Sequence, residues 1–136
     1  MNASVDTFGR TESAICQERI DTLLQAHPEI SGAIVSTVDG FDVAAALRGN
    51  LSAAKLSAMT STLLALGGAV TSESDVGECR DIVIEASSGR VLLMDIPHVT
   101  RKLLLMVLCG RGVTLGQVLW AARTCREELS RHLDMK

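Results

Sequence analysis

The chain has 136 residues, 47% apolar and 21% charged, with a net charge of −3. That is the size and make-up of one folded domain and excludes a disordered chain. The acidic balance argues against a nucleic-acid binder, which needs a basic face, and aromatics at 2% (Phe8, Phe41 and Trp120) exclude base-stacking and carbohydrate platforms.

Residues 1–12 are polar and read as a flexible N-terminal segment ahead of a single domain spanning 13–134. "SAICQERIDTLLQAH", from Ser13, is amphipathic: Cys16, Ile20, Leu23, Leu24 and His27 share one helical face. Pro28 ends this helix, because proline disfavours helical geometry in the residue before it. "GAIVSTVDG" and "FDVAAALRG" then form two short strands around Asp39-Gly40. Asp-Gly tolerates positive φ in a type I′ turn, so "DGFD" reads as a hairpin rather than as a catalytic pair of Asp39 and Asp42.

"LSAAKLSAMTSTLLALGGAVTS" reads as a long second helix. Leu56, Met59, Leu63, Leu66 and Val70 alternate spacings of three and four and form its expected core seam. Ala54, Ser57, Ala58, Ser61, Ala65, Gly68, Ala69 and Ser72 make the other face small, and Lys55 is the only charge between Ala53 and Ser72. A surface helix normally carries charges on its outer face, so this face is expected to be covered by another helix. A membrane span is the rival reading. It is disfavoured by the frequent Ser, Thr and Gly and by the scarcity of flanking positive charge.

Three strands follow. "DIVIEA" alternates, with Ile82, Ile84 and Ala86 on one face and Val83 and Glu85 on the other. "RVLLMDI" returns after the turn "SSG", and "KLLLMVLC" is apolar throughout. Such a run is expected to be covered on both faces. "TLGQVLWAARTCREELSRHLDMK" closes the chain as a helix with Thr114 as N-cap. Its stripe is Leu115, Val118, Leu119, Ala122, Cys125, Leu129 and Leu133, with Trp120 on the other side. The element order is therefore α-β-β-α-β-β-β-α.

Candidate chemistry is sparse. Cys16, Cys79, Cys109 and Cys125 form no C-x-x-C pair, and Cys16, Cys109 and Cys125 read as core hydrophobes. "MNASVDTFGRTES" has no apolar signal core, so secretion is not expected and a reducing cytoplasm is. "GRGVTLG" lies where a phosphate loop would be, yet fits neither G-x-G-x-x-G nor a Walker spacing. His27, His98 and His132 stand on separate elements without a neighbouring nucleophile motif. Glu85 and Asp95 are expected to pair with Arg80 or Arg90 at the surface. Trp120 either packs across the first helix or anchors an interface.

Taken together, "SGAIVSTVDGFDVAAAL", "LSAAKLSAMTSTLLALGGAV", "RDIVIEASSGRVLLMDI" and "LLLMVLCGRGVTLGQVLWAAR" resemble the Roadblock family, the dynein light-chain roadblock domain, over about Ser13 to Leu133, with Gly116 on the family's helix-entry glycine. The loop "IPHVTRK" is more basic than is usual there, and "GRGVT" departs from the family's entry loop. The resemblance implies an α/β (α+β), profilin-like fold: a three-layer α/β/α sandwich on a five-stranded antiparallel sheet. It further implies a homodimer with paired third strands and adjacent central helices, acting without catalysis, metal or cofactor as a scaffold or regulator of a Ras-like small GTPase. The expected dimer or partner surface comprises Lys55, Ser57, Ser61, Gly68, Ser72, Asp81, Val83 and Glu85. A secondary one comprises Trp120, His98, Arg101 and Lys102. A ligand-binding sensor of related profilin-like architecture is the alternative. A small hydrolase would need a nucleophile and base that the motifs do not supply.

Overall fold

A computed structural model describes residues 3–97 and 101–134. The elements run α1 (Ala3–Ala26), β1 (Ile30–Thr37), β2 (Asp42–Leu47), α2 (Ala53–Glu73), β3 (Asp81–Ala86), β4 (Gly89–Ile96), β5 (Leu103–Gly110) and α3 (Leu115–Asp134). Their order is the expected one. The five strands form one antiparallel sheet in the order β2-β1-β5-β4-β3.

Strand β5 lies at the centre, and Leu103, Leu104, Leu105, Met106 and Val107 are all buried. This accounts for its unbroken apolar text: alternate side chains enter two cores. Leu103, Leu105 and Val107 meet Cys16, Ile20, Cys125 and Leu129 of α1 and α3 on one face. Met106 joins Ile34 and Leu93 under α2 on the other. The three layers are thus α1 with α3, the sheet, and α2.

Helix α1 ends at Ala26, just before His27-Pro28, as the proline requires. It begins at Ala3, ten residues before the expected start at Ser13, since no proline interrupts this stretch. Its C-terminal end is closed by Arg48 at the end of β2. The guanidinium donates to the carbonyls of Leu24 (2.9 Å), Pro28 (2.7 Å) and Ile30 (2.6 Å).

"DGFD" is a hairpin turn, though not of the expected type. The Gly40 N–H donates to the Thr37 carbonyl (3.0 Å), and the Thr37 N–H donates to the Phe41 carbonyl (2.8 Å). Gly40 has φ +96°, whereas Asp39 is not in the left-handed region. That is a three-residue loop ending in a left-handed glycine, in place of the two-residue type I′ turn. A separate bulge at Val43 shifts the register deeper in the hairpin, with Val35 opposite Ala44 but Ser36 opposite Asp42.

Helix α3 opens with a reciprocal cap. The Gln117 N–H donates to Thr114 Oγ1 (3.2 Å), and the Thr114 N–H donates to Gln117 Oε1 (3.1 Å). Val118, Ala122, Cys125, Leu129 and Leu133 are buried as expected, with Ala121 added to the stripe.

Candidate interaction surfaces

Helix α2 decides what the molecule shows to solvent. Ser52 caps its start by accepting from the Lys55 N–H (3.2 Å), which leaves the Lys55 side chain exposed. The face turned to the sheet carries Leu56, Leu63 and Leu64 with buried Ser57 and Thr60. Thr60 can be buried because its hydroxyl donates to the Leu56 carbonyl one turn back (2.8 Å).

The expected seam therefore splits. Leu56 and Leu63 pack inward, whereas Met59, Leu66 and Val70 are 57%, 58% and 62% exposed. At 3.6 residues per turn, Met59, Leu66 and Val70 fall on the flank of the helix turned away from Ser57, Thr60 and Leu64, so the inner face follows Leu56, Thr60, Leu63 and Leu64. Between Ala53 and Ser72 the outer face of α2 carries no charge but Lys55, as read from the sequence, but it is apolar rather than merely small.

The glycine pair near its end divides two tasks. A Cβ on Gly67 would come within 2.9 Å of both Cys79 Sγ and Ile82 Cδ1, so this glycine lets α2 close on the start of β3. A Cβ on Gly68 would meet nothing within 4 Å. Gly68 instead borders a groove of about 670 Å³ between α2 and the sheet, shared with Leu64, Cys79, Asp95, Lys102 and Leu104.

The remaining expected residues are placed as follows. Ser57 is fully buried and its hydroxyl has no hydrogen-bond partner, so it cannot meet another chain. Ser61 donates its hydroxyl to the Val38 carbonyl, pinning the "DGFD" turn to α2. Gly40 sits directly on this helix, where a Cβ would lie 3.3 Å from Ala58 Cα. Ser72 is exposed. Val83 is 38% exposed on β3, whose outer edge no strand covers among the described residues. Glu85 pairs with Arg90 at 2.8 Å, as expected. Asp81 points back to α3, held by Arg123 at 2.7 Å and Arg126 at 3.4 Å. Asp95 meets neither Arg80 nor Arg90 within ion-pair distance among the described residues, and lines the groove instead.

Trp120 does not pack across α1. It is 66% exposed and walls a cleft of about 520 Å³ with His27, Glu29, Gly112 and Gly116. It lies on the far side of its helix from Ala121, Ala122 and Cys125, which fill the space against α1. The expected secondary surface is not one patch. The cleft adjoins Gly110, whose N–H bonds the Glu29 carbonyl at the end of β5, whereas Arg101 and Lys102 precede its beginning. His98 lies outside the described residues.

The chemistry of the interior is inert. Burial pushes the Cys16 and Cys125 thiols up to about 12. Among the described residues no three His, Cys, Asp or Glu side chains gather as metal ligands. Helix α2 is long and apolar enough to cross a membrane by length and composition. Here its inner face lies on the sheet.

The strongest signals missed from sequence are Met59, Leu66 and Val70. Comparison with known proteins bears on what such a surface serves. No curated protein matches the chain. Among solved structures, a Roadblock/LC7 domain from Streptomyces avermitilis is 21% identical, with a TM-score of 0.75 over 86% of this chain and 96% of its own. MglB from Myxococcus xanthus is 16% identical, with a TM-score of 0.81 over 93% of each chain. The gliding protein MglB from Thermus thermophilus is 14% identical, with a TM-score of 0.81 over 94% of this chain and 95% of its own. These likenesses establish the fold, and the Roadblock/LC7 domain model matches residues 16–108. The chain belongs to the Roadblock/LC7 domain family.

Proposed function

We propose that this protein is a non-enzymatic, cytoplasmic homodimer that scaffolds or regulates a Ras-like small GTPase. The observation that carries this reading is the exposed apolar stripe of Met59, Leu66 and Val70 on α2, together with a β3 outer edge that no strand covers among the described residues. Each such side chain gains ~1.5–3 kcal/mol on full burial, and a bare strand edge offers a row of unused donors and acceptors. A second copy meets both needs by pairing β3 with β3 and setting the two α2 helices side by side. Family membership and the likeness to MglB support the role in GTPase regulation.

Two α2 helices would make an apolar platform bordered by Lys55 at one end and Ser72 at the other. A regulator must bind one nucleotide state better than the other, since equal affinity shifts no equilibrium. The test combines sedimentation equilibrium with titration of each small GTPase of the source organism, loaded with GDP or a GTP analogue. Twice the chain mass and state-selective binding are expected. A stable monomer would end the dimer reading, and absence of binding in both states would end the GTPase reading. The sensor alternative then gains ground from the groove beside Gly68, whose volume suits a small ligand.

A further inference from the structure

Trp120 is the only tryptophan in the chain, and it stands exposed on α3. Its cleft is lined by His27 and Glu29 from the turn after α1 and by Gly116, Gln117 and Trp120 from α3. Gly112 and Gly116 place no side chain in it, and a Cβ on Gly112 would already lie 4.0 Å from Glu29 Cγ. Both walls stand on fixed backbone. The Glu29 carbonyl accepts from the Gly110 N–H at the end of β5 (3.1 Å), and the reciprocal Thr114–Gln117 cap holds the first turn of α3.

Among the described residues, Glu29 is the only Asp, Glu, Lys or Arg that lines the cleft, and it makes no ion pair. Arg111, beside Gly112, donates instead to the Ser87 carbonyl (2.9 Å). An indole face attracts cations, and the carboxylate next to it has the same preference. An anion is the rival occupant, because α3 starts here. Glu29 opposes it, and the Gln117 N–H is already bonded to Thr114 Oγ1. A quaternary ammonium is held by a cage of several rings, whereas Trp120 is the only aromatic lining this cleft among the described residues. A guanidinium fits both groups at once: its plane stacks on the indole while its N–H fork donates to the carboxylate.

From this geometry we infer that the Trp120 cleft docks an arginine side chain from an exposed segment of a partner protein, with Trp120 as the stacking face and Glu29 as the counter-charge. The cleft belongs to the α1–α3 layer, on the opposite side of the sheet from α2. The inference therefore stands whether or not the chain dimerises through α2 and β3.

The test reads the emission of Trp120 directly, since the chain has no other tryptophan and no tyrosine. The probes are acetyl-Gly-Arg-Gly-Arg-Gly-amide and its lysine and citrulline counterparts, at physiological ionic strength. The arginine peptide is expected to change the emission saturably. The lysine peptide should bind more weakly, and the neutral citrulline peptide more weakly still. Isothermal titration extends the comparison to two variants, both at exposed side chains, whose folding circular dichroism verifies. Trp120→Ala should lose detectable binding, and Glu29→Gln should bind about fivefold more weakly, as befits an exposed charge pair. Absence of a saturable signal with the arginine peptide overturns the inference. So does equal binding by the lysine or citrulline peptide, or wild-type binding by Glu29→Gln. Tighter binding of tetramethylammonium than of the arginine peptide would assign the cleft to a quaternary ammonium, and a lower sedimenting mass for Trp120→Ala would make it a contact between copies; either result overturns the inference as well.

Discussion

Arg123 of α3 donates to the Asp81 carboxylate at the start of β3 over 2.7 Å, and ties the bare edge of the sheet to the helix behind it. Arg126 adds a second, longer contact to the same carboxylate at 3.4 Å. Asp81→Asn is expected to lower unfolding stability by about 1 kcal/mol, since Arg123 is half exposed and solvent weakens the pair. Urea denaturation measures this, and 1 M salt should remove most of the difference. If Asp81 instead met a partner, stability would hold and association would fall.

Gly67 and Gly68 are neighbours with opposite expected responses. Gly68→Ala meets open space and should stabilise α2 by ~0.5–1 kcal/mol through helix propensity. Gly67→Val must displace Cys79 and Ile82 and should cost ~1–3 kcal/mol as overpacking. Thermal melts of the two variants would show shifts of opposite sign. Equal shifts would mean that α2 does not sit on β3 as described.

Two substitutions separate self-association from partner binding. Leu66→Glu is expected to leave the protomer folded, because this side chain is already 58% exposed, and to halve the sedimenting mass. Lys55→Glu should keep the mass and weaken GTPase binding about tenfold, equivalent to ~1.4 kcal/mol. Isothermal titration on both variants measures the split. If Lys55→Glu binds as wild type, the contact moves to the Trp120 cleft or to Lys102.

The cysteines give a pH prediction. Burial raises the Cys16 and Cys125 thiols to about 12 in the folded state. Unfolded, they ionise near the ordinary value of about 8.5. A raised folded pKa means that the native state holds these protons more tightly. The stability they contribute is complete below the unfolded value and is lost as pH climbs from about 9 toward 12. Circular dichroism through this range should show alkaline unfolding, delayed in Cys16→Ser/Cys125→Ser if that variant folds. At neutral pH a thiol reagent should label half-buried Cys79 first and reach Cys16, Cys109 and Cys125 only after denaturation.

The fold was legible where one chemical pattern excluded the others. Pro28 stopped a helix, and the nearly unbroken apolar run of β5 marked it as a strand with helices on both faces. The faces of α2 were not legible, because Leu56, Met59, Leu63, Leu66 and Val70 are interchangeable as apolar text. Their fates depend on which turn of the helix touches the sheet, and on Thr60 satisfying its own hydroxyl. Ser57 could not be separated from Ser72 by residue type, although one is fully buried and the other exposed. Trp120 was placed on the correct side of α3, but its exposure rests on small alanines filling the α1 contact. The double hydrogen bond of the Gln17 amide on α1 to the Ala45 backbone of β2 was invisible for a different reason. Gln17 and Ala45 are 28 positions apart, and no local pattern announces a side chain that imitates a strand.

The strand order has a consequence for synthesis. Ile34 pairs with Met106, so the two central strands meet across a separation of 72 positions. Hairpins β1–β2 and β3–β4 can form as they emerge from the ribosome, but each lacks the neighbour that covers its apolar side. Until β5 slides between them, the nascent chain carries two half-sheets with open inner edges. Non-local pairing of this kind is slow, and exposed edges invite aggregation. A stall before Gly110 would therefore leave a chain that depends on a chaperone, whereas a truncation inside α3 would already hold a closed sheet.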